Sequence, residues 1–175
     1  MSDMLIPDLM EPIVSWRLWH PSGPFGQEGH QRAYLVALNQ TPVEPYVKAS
    51  AHCRGNRSHD PFLIEFTCSC GFYSYKTFGD LVAGTYMGNH HWSPQQFVIG
   101  TVNNWGKVFE YTKGYRSQFI YPKELLASTP RMAAALERTY GVPCEVANVF
   151  EMLEDVKRKA MERARELARQ NRLLP

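Results

Sequence analysis

The sequence predicts an α+β protein: an antiparallel sheet or small open barrel with one cysteine-stapled hairpin, followed by C-terminal helices. Three observations lead there. Between residues 12 and 126, short runs of β-branched and aromatic residues alternate with Gly, Pro and Asn clusters. Cys53, Cys68 and Cys70 lie close together in that region. From Thr129 onward the apolar positions change to three- and four-residue spacing, the helical period. This divides the chain into a β-rich domain, 12–143, and an amphipathic C-terminal helix, 144–175.

Residues 1–11 read as a lead-in. Ile13 to Trp19 is a strand by its β-branched and aromatic content, and His20 to Gly26 is a breaker cluster. Arg32 to Leu38 reads as a second strand, although so short an apolar run also fits a helix. Tyr46 to Cys53 is a third strand. Phe62–Phe66 and Phe72–Tyr75 flank Cys68 and Cys70 as the arms of a hairpin. Residues 79–88 suit a short helix weakened by three glycines, and Asn89 to Pro94 a loop. A meander follows: strand Phe97–Val102, turn Asn103–Gly106, strand Lys107–Thr112, turn Lys113–Gly114, strand Tyr115–Tyr121. The last turn calls for positive φ at Gly114. Thr129 and Pro130 form an N-cap and N1 pair, Met132–Tyr140 is helical, and Gly141 is the stop. Pro143 opens a final helix running to about Arg172 along Val146, Val149, Leu153, Val156, Ala160 and Leu167.

A chain of 175 residues suits one domain, or one with an appendage, and buries enough surface to fold without disulfides. Lys and Arg total 19 against 17 acidic residues, a net charge of +2. That balance excludes a strongly basic nucleic-acid coat and an acidic disordered tail. The start carries no basic, apolar signal segment, and no run approaches the ~18–20 apolar residues that span a bilayer. With its few, clustered cysteines, the chain is expected in a reducing cytoplasm, away from membranes.

The chemistry-bearing motif is Cys53-x14-Cys68-Ser69-Cys70-Gly71. Thiolates are soft ligands suited to tetrahedral zinc, and a glycine after a ligand cysteine lets the backbone turn sharply. A Cys68–Cys70 disulfide would close a strained ring. His59 is the best fourth ligand, giving Cys53-x5-His59-x8-Cys68-x-Cys70; His52, His90, His91 and Cys144 are the others available. Buried thiols without a metal are the competing reading. A closed four-ligand zinc site is structural and supplies folding energy, so the hairpin is expected to be zinc-stapled.

The opening Ile13–Trp19, the segment Ala51-His52-Cys53 with His59, Pro61 and Cys68–Ser74, and the block Val98–Val108 with Gly114–Ser117 and Tyr121-Pro122 together carry a resemblance. They resemble small uncharacterised proteins of actinobacteria and their phages. Those have a GWRxW-like strand, a C…H…P…CxCG segment and a GxVxxWGxV…GYRAExAYP block. The likeness covers roughly residues 12–126. Ser15 stands where the pattern has Gly; Ser74, Ser117 and Gln118 stand where it has Ala, Ala and Glu. The resemblance implies that the cysteine and histidine residues act as a unit, and it carries no activity with it.

Other constellations are weaker. Ser58-His59-Asp60 are consecutive, whereas a working triad converges from separate segments. His90-His91-Trp92 reads as a surface loop, and acidic residues are sparse between residues 12 and 126. Trp105, Tyr111 and Arg116 of the meander, and Arg163 and Leu167 of the last helix, are candidate partner contacts. The helix is long for the domain, so its distal half should project or pack on another chain, a homo-oligomer being the simplest case. The sequence thus points to a non-enzymatic, zinc-stabilised protein-interaction module, a phage or host regulatory protein with an unidentified protein partner. The alternatives are a nucleic-acid-binding zinc protein and a small zinc-dependent hydrolase.

Overall fold

The computed structural model describes residues 11–22, 34–36, 42–43, 45, 49–51, 53, 63–86 and 97–172. These form strands β1 (Ile13–Ser22), β2 (Tyr34–Val36), β3 (Pro42–Val43), β4 (Ala49–Ser50) and β5 (Phe72–Tyr75), then helix α1 (Phe78–Tyr86). Two long strands follow, β6 (Val98–Glu110) and β7 (Gly114–Ala127), then α2 (Pro130–Tyr140), β8 (Cys144–Val146) and α3 (Val149–Arg172). The fold is mixed α and β, and its sheet is antiparallel except for the β7–β8 pair.

β1 pairs with β5 and β6, and β7 pairs with the same two strands, so the pairings β1–β5–β7–β6–β1 form a closed circuit. Neighbouring residues along a strand enter different cores, as the alternation of strand side chains requires. Trp19, Val98 and Leu125 pack with Met132 and Leu136 of α2, whereas Leu18, Ile99 and Leu126 pack with Leu81 of α1 and Val149 of α3. Helices therefore cover both faces. Tyr140 of α2 ties in the outer strands: its hydroxyl donates to Val43 O at 2.7 Å and accepts from Leu35 N at 2.7 Å.

α2 begins and ends where its capping residues predict. The Thr129 side chain accepts from Met132 N, and Gly141 closes the helix at φ 66°. Four expectations are corrected. Asn103–Gly106 is not a turn: Asn103, Asn104 and Trp105 pair with Tyr121, Ile120 and Phe119, and the strand is bulged between Trp105 and Val108. Gly106 supplies the positive φ, 73°, that the irregularity needs. The β6–β7 turn lies one residue earlier than expected, at Thr112-Lys113, closed by paired bonds between Tyr111 and Gly114. Gly114 is not among the positive-φ glycines. It is required because a Cβ there would collide with the carbonyl oxygen of Ser74 on β5.

The expected cysteine hairpin is absent among the described residues, since 63–70 carry no strand and β5 pairs with β1 and β7 instead. Pro143 does not open the last helix. Cys144–Val146 adds to β7, and α3 starts after Asn148, whose Oδ1 accepts from Glu151 N. Val149 is buried and Leu153 packs beside it, whereas Val146, expected on the same apolar stripe, is exposed on β8.

Candidate metal centre

Cys53 reaches the site from the end of β4, where Ala51 N donates to Gln118 O and holds the chain along β7. Cys68 and Cys70 come from the irregular segment before β5, which turns through Cys68 N donating to Glu65 O at 3.1 Å. The three sulfur atoms lie within 4.8 Å of one another, close enough to hold a metal ion. Cys53 Sγ and Cys68 Sγ are 3.5 Å apart, and no disulfide joins them. Gly71 then reverses the chain at φ 123°, and a Cβ at this position would lie 2.8 Å from Arg116 Cγ. Both the geometry and the packing exclude a side chain there.

Arg116 shapes this loop. It sits on β7 between Tyr73 of β5 and Phe109 of β6 and is 1% exposed. Nη1 donates to the carbonyls of Cys68 and Cys70, and Nη2 to that of Glu65 at 3.1 Å. The guanidinium lies 4.5 Å from the centre of the Phe109 ring, which Phe66 also contacts. Tyr73 adds a fourth tie, its hydroxyl donating to Ser69 O. Among the described residues no carboxylate pairs with Arg116. A positive charge is thus buried beside three thiols.

Burial pushes the Cys70 thiol above its ordinary pKa. A backbone hydrogen bond at Glu65 opposes this, and the neighbouring Cys68 and Cys53 add to it. The protonated Cys70 thiol is therefore favoured without an ion, and a dication binding there would displace its proton. Sulfur donors select soft or borderline metals over calcium or magnesium.

The structure brings Cys53, Cys68 and Cys70 together as their spacing predicts. His59, and with it His52, His90 and His91, lies outside the described residues. Cys144 belongs to β8, beside Leu125, and is not part of the trio. The assignment of Arg116 as a partner contact is corrected: its donors face the loop carbonyls and its side chain is buried. Trp105 is half-buried against Phe119, with ring centres 6.0 Å apart, and Tyr111 is exposed at the β6–β7 turn. Arg163 and Leu167 are exposed on the distal half of α3.

Two polar groups escaped the sequence reading. Arg17 is buried on β1, where Nη1 donates to Tyr73 O and the guanidinium lies 5.6 Å from the Phe72 ring centre. Burial lowers its pKa to about 10. Asn104 joins four strands: its amide donates to Ile13 O and Ser15 Oγ and accepts from the hydroxyls of Ser74 and Ser117 at 3.0 Å. The available signal was weak, namely polar residues spaced two apart inside otherwise apolar strands.

No protein-family model, curated protein or solved structure matches the chain. No helix of the described residues is long and apolar enough to cross a membrane.

Proposed function

We propose that this chain is a non-enzymatic protein-interaction module stabilised by a structural zinc ion, acting in the cytoplasm. On this reading it belongs with the small actinobacterial and phage proteins that its motifs resemble. Cys53, Cys68 and Cys70 hold the ion with His59 as the fourth ligand. The observation that carries the proposal is the sulfur trio at the mouth of a loop with no ladder of its own. Residues 63–70 are fastened by Arg116 and by whatever the thiols bind, and a metal supplies folding energy in such a place.

The interaction half of the reading rests on what the loop displays. Leu63, Phe66 and Tyr73 are 45%, 56% and 50% exposed around it, and Tyr111 is 40% exposed. Apolar side chains gathered beside a fixed loop are the usual material of a recognition surface. Trp105 lies on the adjoining strand β6, and Arg163 and Leu167 add a second surface on α3.

The test is elemental analysis of protein purified without a metal-affinity tag. About one zinc per chain is expected, and Cys68→Ser should lose the ion and lower the melting temperature. A wild-type zinc content below about a tenth per chain overturns the metal assignment. Phe66→Ser and Tyr73→Ser should keep the zinc and lose a partner captured from the native host. Unchanged capture by both would move the partner surface elsewhere.

A further inference from the structure

The three thiols differ in the bonds they can form. Cys53 Sγ and Cys68 Sγ are 3.5 Å apart, with no disulfide between them. A disulfide needs ~2.0 Å, so an approach of about 1.5 Å closes the bond. Cys68 and Cys70 are separated by one residue, and a bond between them would close a strained ring. Cys70 is also the anchored member. It packs against the core that α2 covers, and the next residue, Gly71, lies close against the Arg116 stem. Cys53 and Cys68 are half-buried, and Thr67 and Ser69 on either side of Cys68 are exposed, so a small oxidant has access.

The backbone beneath these sulfur atoms is fastened without using sulfur. Arg116 donates to the carbonyls of Glu65, Cys68 and Cys70, and the Tyr73 hydroxyl donates to Ser69 O. Two residues before Cys53, Ala51 N donates to Gln118 O. Both sides of the pair are therefore held to the sheet by main-chain groups that do not change when sulfur is oxidised. Arg116 also sets a cation beside partly exposed thiols, the surroundings in which cysteines react.

We propose that Cys53 and Cys68 are a hydroperoxide-responsive thiol pair, whose oxidation to a disulfide releases the metal ion and whose reduction restores the site. The chemistry balances in two steps. One sulfur of the pair attacks the outer oxygen of a hydroperoxide. The O–O bond breaks, a sulfenic acid forms, and the thiol proton leaves with the other oxygen as water or an alcohol. The second sulfur then attacks the sulfenic sulfur. The S–O bond breaks, the S–S bond forms, and the hydroxyl leaves as water with the second thiol proton. Two electrons pass from the pair to the peroxide; in the metal-bound form solvent supplies both protons as the dication departs. A disulfide sulfur is no longer a thiolate ligand, so Cys70 alone of the trio remains to the ion, too little to hold it. A dithiol reverses the change by thiol–disulfide exchange. The release of an ion rests on the metal reading above, whereas the cross-link needs only the two sulfur atoms.

The test treats the full chain, purified without a metal-affinity tag, with about a tenfold excess of hydrogen peroxide. The product is denatured, capped with iodoacetamide and mapped by mass spectrometry without reduction. A Cys53–Cys68 cross-link is expected in most chains, with Cys70 and Cys144 alkylated. A chromogenic chelator should record about one zinc released per cross-link, with the circular dichroism spectrum retained before denaturation, and dithiothreitol should reverse both changes. Cys53→Ser should form no cross-link and leave Cys68 as a sulfenic acid that dimedone traps, and Cys144→Ser should behave as the wild type. A wild type in which Cys53 and Cys68 stay alkylatable, or join other partners, overturns the proposal, and if it carries zinc the metal reading stands. Cross-linking without release of the zinc, or with loss of the fold, overturns the switch. A zinc-free chain that still forms the Cys53–Cys68 bond overturns the metal reading and leaves the thiol pair as a modification site.

Discussion

Arg116→Met tests how the loop and its thiols are held. The substitution retains an unbranched stem against Phe109 and removes the charge and every donor. Three carbonyls lose their partner, those of Glu65, Cys68 and Cys70. Hydrogen bonds from a charged donor contribute ~1.5–3 kcal/mol each. The loss is offset because a cation need no longer be buried, a penalty of several kcal/mol. A net destabilisation of about 3 kcal/mol is expected. The effect on metal affinity has a separate origin. With the proposed ligands, three thiolates and a neutral imidazole leave a zinc centre with one net negative charge. The guanidinium hydrogen-bonds the carbonyls of the ligand residues themselves, which puts it ~6 Å from the ion. At an effective dielectric of ~20, opposite unit charges at ~6 Å attract by about 3 kcal/mol. That corresponds to about a hundredfold in affinity. Competition titration of zinc against a chelator at fixed pH reads it directly, with denaturant unfolding run alongside. Arg116→Lys restores the charge without the planar fork and should recover part of the affinity but little of the loop's order. If Arg116→Met folds and binds zinc within about threefold of the wild type, the charge does not balance the thiolates and the argument fails.

Gly114→Ala should destabilise by about 2 kcal/mol in denaturant unfolding, because its methyl group would meet the Ser74 carbonyl across the β5–β7 ladder. Asn104→Ala should cost about 3 kcal/mol by leaving buried hydroxyls unsatisfied, and adding Ser74→Ala and Ser117→Ala should recover part of that loss. The Cys144 thiol is raised to about 11, first by burial and then by the charge of Glu137. A raised folded-state pKa favours the protonated form, so this contribution is complete below the unfolded thiol value of ~8.5 and is lost as pH climbs to about 11. The unfolding midpoint of the wild type should therefore fall more steeply than that of Cys144→Ser between about pH 9 and 11; parallel curves would refute it.

What could be read from the sequence was what is determined locally. Thr129, Pro130 and Gly141 bound α2 through contacts within a few residues, and the structure places its ends as those residues require. The cysteine trio was legible because so few residue types share its chemistry. What failed depends on partners far along the chain. Asn103–Gly106 has turn composition, yet Asn103 to Trp105 stay in the ladder because β7 pairs with them and the Asn104 amide finds three neighbouring strands to bind. β8 has three residues after a proline and exists only through its pairing with β7. A basic side chain in a β-meander is ordinarily solvated, so nothing near Arg116 in sequence announces that residues some fifty positions earlier supply its acceptors.

The serines carry this argument one step further. Ser15, Ser74 and Ser117 are three buried serines in the strand circuit. They come from β1, β5 and β7, are separated by tens of residues, and all contact the same side chain on β6. An asparagine amide has two donors and two acceptor sites. Here Ile13 O and Ser15 Oγ take the donors, and Ser74 and Ser117 fill the acceptor oxygen. Gly or Ala at those positions would leave the amide short of partners in a place that is 0% exposed, and each hydroxyl without Asn104 would be an unsatisfied buried group. The asparagine and the three serines are therefore interdependent. Around Asn104 they form one buried polar knot that ties β1, β5, β6 and β7 together. β5 and β7 then carry Tyr73 and Arg116 to the cysteine loop on their other face.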